Sequence, residues 1–107
     1  MSSSPVEAQA ATAVQAVVSA DALVVELSDG RTISVPVAWY PRLSHATADE
    51  RSHWRLIGEG RGIHWSDLDE DISVEDLLAG RASGESQQSL KRWLDARTAR
   101  QPPGPNA

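Results

Sequence analysis

A chain of 107 residues with a net charge of −5 and no cysteine has the length of one domain and excludes disulfides and thiolate metal sites. The acidic balance argues against a general nucleic-acid binder, because affinity for phosphate comes largely from Lys and Arg. Phe is absent too, so the bulk of a core must come from Val, Leu, Ile and the tryptophans Trp39, Trp54, Trp65 and Trp93.

MSSSPVEAQAA at the start is small, polar and aperiodic, and QPPGPNA at the end holds three of the six prolines. Residues 1–12 and 101–107 are therefore expected to be disordered tails around a single domain at 13–100. No stretch has the length of a membrane span. AVQAVVSA is mildly apolar but lacks the basic flank of a signal peptide. The expectation is a soluble, cytoplasmic protein, which the missing cysteines also fit.

VQAVVSADALVVELSDGRTISVPV reads as a three-stranded antiparallel meander over 14–19, 23–27 and 31–35, with Ala-Asp and Asp-Gly at its turns. Side-chain parity selects the second turn. A two-residue Asp29-Gly30 loop would set Val25 opposite Ser34, mixing polar and apolar on one face. A three-residue Ser28-Asp29-Gly30 loop sets Val25 opposite Ile33 and Leu23 opposite Val35, and puts Gly30 where a positive φ is wanted. Pro36 then ends the third strand, since it cannot donate to a ladder.

WYPRL, residues 39–43, leads to Thr47-Ala-Asp-Glu50, a capping-box pattern. The helix it opens is expected to run to about Leu56 and stop near Gly58. After the glycine-rich GEGRG, residues 62–65 resume as a short strand. Ser73 is placed as an N-cap, with Asp76 as its capping-box partner and Ile72 and Leu77 as a hydrophobic staple. Gly80 closes this helix, which is predicted over 74–79. RASGES is a link. SLKRWLDARTAR is an amphipathic helix whose apolar stripe is Leu90, Trp93 and Leu94. The predicted fold is α+β: a small antiparallel sheet with an N-terminal meander, two short helices and a C-terminal amphipathic helix.

The densest chemistry lies in GIHWSDLDEDISVEDLL, residues 62–78. Glu75 and Asp76 belong to a helix start, where carboxylates favour the positive end of the dipole. Asp67, Asp69, Glu70 and Asp71 remain. The aspartates have the spacing that begins an EF-hand, but that loop needs Gly at its sixth position and Glu at its twelfth, and Ile72 and Leu78 stand there. Alternating aspartates on extended chain would share one face, which leaves a looser magnesium or calcium site open. So does an arginine-paired loop, with Arg42, Arg61 and Arg81 as partners.

A catalytic acid pair needs two positioned carboxyls with separated pKa values, which neighbouring like charges do not advertise. His45, His53 and His64 have no zinc-ligand spacing, and His64 is read as a structural donor beside the core. No catalytic residue, metal ligand or cofactor is assigned. Trp39, Arg42 and Trp65 are instead grouped with Asp67, Asp69, Glu70 and Asp71 as one partner-binding patch, an aromatic centre with a charged rim. The C-terminal helix concentrates Lys91, Arg92, Arg97 and Arg100 against Asp95 alone, which makes these four the candidates for nucleic-acid contact.

The motifs DGR at 29–31, WYPRL at 39–43, GIHW at 62–65 and DEDIS at 69–73 carry a resemblance. From about residue 13 to 96 the chain resembles the small bacterial family catalogued as domain of unknown function 2442. The resemblance implies a compact α+β domain. Some members of that family add a helix-turn-helix, which this chain does not show after Gly80. Genes for others sit beside a second small protein, an arrangement like a toxin–antitoxin pair. The expected function is a non-enzymatic interaction domain, the antitoxin-like or regulatory partner of a small protein encoded nearby. The acidic residues 67–71 would meet a basic surface on that protein. The alternatives are a DNA-associated regulator using the basic helix and a small metal-assisted enzyme at 67–71. Exposed edge strands make homo-oligomers a further expectation. Nucleic acid is not expected as the sole partner, and a membrane is not expected at all.

Overall fold

The computed structural model describes residues 11–100. The expected tails 1–10 and 101–107 lie outside it. Ala11 and Thr12, the end of the expected N-terminal tail, already lie against the fold. Ala11 packs on the core, and Thr12 exchanges hydrogen bonds with Ser28 at 3.0 and 2.8 Å.

The meander forms as expected, from β1 (Ala13–Val18), β2 (Ala22–Leu27) and β3 (Thr32–Pro36) in antiparallel order. Val25 stands opposite Ile33 and Leu23 opposite Val35, the pairing of the three-residue turn, and Gly30 has φ 94°. Asp29 clips this turn, accepting from the Arg31 backbone N–H at 3.0 Å and from Arg31 Nε at 2.8 Å.

A 3₁₀ turn at Val37–Trp39 leads into α1 (Pro41–Ser44), with proline at its first position, and then α2 (Ala48–Ser52). The capping box at Thr47 and Glu50 is formed in both directions. The helix does not reach Leu56, however. It stops at Ser52, and Trp54–Ile57 is β4, antiparallel to β5 (Gly62–Trp65), which pairs in turn with β6 (Glu70–Ser73). Pairing outweighed local preference, because Trp54 and Leu56 gain Trp65 and Ile63 as cross-strand neighbours only in extended chain. The expected single sheet is thus two sheets of three strands each.

Opposed residues in a ladder share a face. Trp54, Leu56, Ile63, Trp65, Glu70 and Ile72 therefore lie on one face of the second sheet, and Arg55, His64 and Asp71 on the other. The first of these faces packs with Leu23, Val25, Leu27 and Val35 of the meander into one core. Leu43 from α1 and Leu68 between β5 and β6 join it fully buried. Ser73 caps α3 (Val74–Ala79), accepting from the Asp76 N–H at 3.0 Å, and Gly80 ends it at φ 75°. Asp76 does not complete a capping box; its carboxylate takes Arg81 Nη1 at 2.6 Å instead. The C-terminal helix, α4, is Gln87–Arg100.

Gly60 closes the turn between β4 and β5 at φ 88°, and a Cβ there would sit 2.9 Å from Thr12 Cβ and 3.0 Å from the Ala13 carbonyl oxygen. Gly60→Ala is therefore expected to cost on the order of 1–3 kcal/mol in a urea titration, from strained backbone and the clash together. Gly30→Ala has a similar φ but open space around it, so its cost should be the smaller of the two.

Candidate functional site

The acidic stretch separates into residues with different jobs. Ser66–Asp69 is a turn pinned by buried Leu68, whose N–H donates to the Trp65 carbonyl at 3.2 Å. Asp69 takes φ 52°, a left-handed conformation that short polar side chains tolerate. Asp67 leans towards α2 and accepts from His53 Nδ1 at 2.8 Å, which holds that imidazole above its usual pKa. Asp71, on the outer face of β6, pairs with His64 Nδ1 across the ladder. His64 is therefore a hydrogen-bonding partner on the outer face of the sheet, not the donor beside the core that was expected. The three aspartates do not share a face, because the turn breaks the alternation that would have aligned them. Among the described residues no three His, Asp or Glu side chains are placed to hold a metal ion.

Glu70 is on the inner face, half-buried. Burial pushes its carboxyl up to about 7, reinforced by Glu85 and opposed by Arg42.

The expected aromatic centre is not assembled. Trp65 is 0% exposed, a core residue whose indole N–H donates to the Arg51 carbonyl at 3.1 Å. It contributes nothing to an exposed patch. Trp39 is half-buried against the core, and its carbonyl accepts from the Ser83 N–H at 2.9 Å. Arg42 is committed within the molecule as well. Its Nε reaches both Glu85 oxygens at 3.0 Å and its Nη2 reaches Oε2 at 2.7 Å. Nη1 meanwhile donates to the carbonyls of Leu68 at 3.0 Å and Asp69 at 3.3 Å.

A second pair of this kind stands at the other side of α4. Arg97 donates through both terminal nitrogens to the two Glu50 oxygens at 2.9 Å each, the bidentate geometry that only guanidinium offers. Glu50 also closes the capping box through Oε1, 2.9 Å from the Thr47 N–H. With Arg97 foremost among these donors, the Glu50 carboxyl is lowered to about 2. The Trp93 ring is stacked by both cations, with the Arg42 guanidinium 5.2 Å and the Arg97 guanidinium 4.6 Å from its centroid. These pairs are largely screened from water, the four side chains being 10–17% exposed.

Sequence reasoning missed this clasp. Glu50 was legible as a cap and Trp93 as part of a stripe, but nothing in their spacing showed that Arg42 and Arg97 meet over one ring. The clasp also changes the basic helix. Arg97 is withdrawn from any nucleic-acid surface, because both its terminal nitrogens are spent on Glu50. Lys91 pairs with Asp95 at 3.1 Å in the open, and Arg92 is exposed. The Arg100 side chain lies outside the described residues.

Between the Ser66–Asp69 turn and α4 runs an open groove of about 430 Å³, lined by Arg42, Ser66, Asp67, Asp69, Arg92 and Trp93 among others. Asp67 and Asp69 form one wall of it and Arg92 part of the other.

A sequence profile described as "Protein of unknown function (DUF2442)" matches residues 13–83. The chain belongs to this family. Its motifs now have structural roles: DGR is the clipped turn after β2, WYPRL supplies Tyr40, Leu43 and Arg42, GIHW is β5, and DEDIS spans the start of β6 and the α3 cap. A protein of unknown function from Rhodospirillum rubrum, known from its crystal structure, is 27% identical with a TM-score of 0.64. The match covers 74% of this chain and 98% of that one. An uncharacterised protein from Chromobacterium violaceum, solved by NMR, is similar in fold, at 18% identity and a TM-score of 0.62, over 89% of this chain and 84% of that one. No curated protein matches the chain. The α4 helix lies beyond the residues that the family profile matches.

Glu50 and Glu70 predict opposite pH dependences. Glu50 has a lowered folded pKa, so its pairing contributes stability above the ordinary carboxyl value of 4.5, and that stability is lost as pH falls towards about 2. Arg97→Ala should remove ~1–3 kcal/mol at neutral pH, and the gap to wild type should narrow across that acid window in urea titrations. Glu70 has a raised folded pKa, so stability falls as pH rises from 4.5 to about 7 and then levels off. Glu70→Gln should flatten that limb and leave the variant relatively more stable at pH 8 than at pH 4.

Proposed function

We propose that this chain is a non-enzymatic protein-interaction domain, the regulatory or antitoxin-like partner of a small cytoplasmic protein. It docks through the rim of the groove between the Ser66–Asp69 turn and α4. The observation carrying this reading is the arrangement of exposed charge there. Asp67 and Asp69 reach solvent from a turn whose backbone is fixed by Leu68 and by the Arg42 bonds to its carbonyls, and Asp71 is exposed on the strand that follows it. Arg92 faces the turn across the groove. Charges held at fixed positions on a rim govern encounter and register with a partner of complementary pattern. The earlier grouping is revised accordingly: the aspartates remain in the patch, Arg92 enters it, and Trp65 and Arg42 become its support.

Glu70 would titrate where a general base works. It does not line the groove, and burial on the inner face of the sheet accounts for its shift, so it is read as part of the scaffold.

The test is capture by the tagged full chain, with Asp69→Asn/Asp71→Asn beside wild type. Asn keeps the left-handed conformation accessible at position 69, and loss of the exposed Asp71 pair should change stability by under about 1 kcal/mol. A protein captured stoichiometrically by wild type should fall about tenfold in the variant, with the thermal melt little changed, as expected for rim charges that steer association. Equal capture by both chains would dismiss the acidic rim as the docking edge. A collapsed melt would make these acids structural.

A further inference from the structure

Helix α4 is attached to the rest of the molecule in an unusual way. Among the described residues, the last backbone hydrogen bond joining this end of the chain to the domain is from the Ser83 N–H to the Trp39 carbonyl. Beyond it, among the described residues, the polar links to the domain run from side chain to side chain: Glu85 to Arg42 and Arg97 to Glu50, with Trp93 between the two guanidiniums. The helix also starts itself. Ser86 accepts from the Ser89 N–H at 3.0 Å in the manner of an N-cap, and Lys91 and Asp95 support it one turn apart at 3.1 Å. The family profile ends at residue 83.

The face beneath α4 has the character of a receptor. Arg42 from α1 stands at one end and Glu50 from α2 at the other, with half-buried Ala46 between them in the chain. A cation and an anion at opposite ends accept a helix in one orientation only. Reversal would set Arg97 on Arg42 and Glu85 on Glu50, and close like charges at an interface suppress wrong partners.

We infer that this face is a helix-binding site which α4 occupies in cis. The site accepts in its place a partner's amphipathic helix presenting an aromatic ring with a guanidinium four residues on, and preceded by a carboxylate two residues before its first turn, the arrangement of Trp93, Arg97 and Glu85. This is helix-in-groove recognition, with anchors that are ionic at both ends and aromatic in the middle. Because α4 is tethered, it competes at a high effective concentration. The site is therefore covered by default and opens to a partner whose helix binds better than α4. The inference goes beyond the groove-rim reading and does not rest on it.

The test uses full-length protein. Trp93→Ala/Arg97→Ala alters only the α4 side of the contact and leaves Arg42 and Glu50 in place. A labelled synthetic peptide with the sequence of residues 84–100 is titrated into this variant and into wild type, read by fluorescence anisotropy. The variant should bind it saturably and about tenfold or more tighter than wild type does. The same peptide with alanine for its tryptophan should lose about tenfold or more, as for an aromatic anchor. Hydrogen exchange on wild type gives a reading that needs no variant. Amides of residues 88–100 should exchange about tenfold or more faster than those of β2 and β5, as for a unit that opens by itself. The inference is overturned if the variant keeps its strand protection but ignores the peptide, or if α4 in wild type exchanges only together with the sheets. A stoichiometric complex of variant with wild-type chain in sedimentation would make a second copy the donor of the helix and overturn the assignment to a separate partner.

Discussion

The burial of Trp65 organises this fold. It sits on the central strand of the second sheet, between Trp54 on β4 and Glu70 on β6, and is the largest of the fully buried side chains. An indole buried this deeply needs a partner for its N–H, and the Arg51 carbonyl near the end of α2 supplies one. That bond helps explain why α2 stops where it does and why the chain turns back as β4. The row through Trp65 also decides which acids face inward. Glu70 must share its side of the ladder, and Asp71 must take the other.

Carboxylates of one type thus diverge with their surroundings. Glu70 is desolvated and held near neutrality. Glu50, less deeply buried, is driven far the other way because a guanidinium meets both of its oxygens. Burial raises both, and the charge and hydrogen bonds of the partner reverse the outcome for one. Asp67, Asp69 and Asp71 stay in the open, held apart by a turn whose buried member is Leu68. A cluster in the sequence is therefore not a cluster in space.

Features set by near neighbours were legible before any coordinates. Parity across Ser28–Gly30 gave the hairpin register, and the caps at Thr47 and Ser73 lie where hydroxyl and helix start coincide. β4 was hidden because Trp54–Ile57 follows a helix without Gly or Pro to break it, and its extended state comes from pairing with β5. β6 was hidden because Glu70 and Asp71 are poor strand formers on their own, and strand preference depends on neighbours. The clasp was hidden most completely, since Arg42 and Glu85 are 43 positions apart and Glu50 and Arg97 are 47 apart. The motifs that marked the family held these residues without disclosing their roles.

Arg42 is the joint between three parts of the molecule. Its flat fork holds Glu85 along one edge and two turn carbonyls along the other, and its face lies towards Trp93. Lysine has the same charge but a single nitrogen, with three donors and no plane to stack. A relative with lysine at this position would have an unchanged net charge and a near-identical hydropathy profile. It would nonetheless lack the means to hold turn and helix together, so among descendants of this chain a replacement that composition counts as silent would separate lineages with a fastened helix from lineages with a loose one.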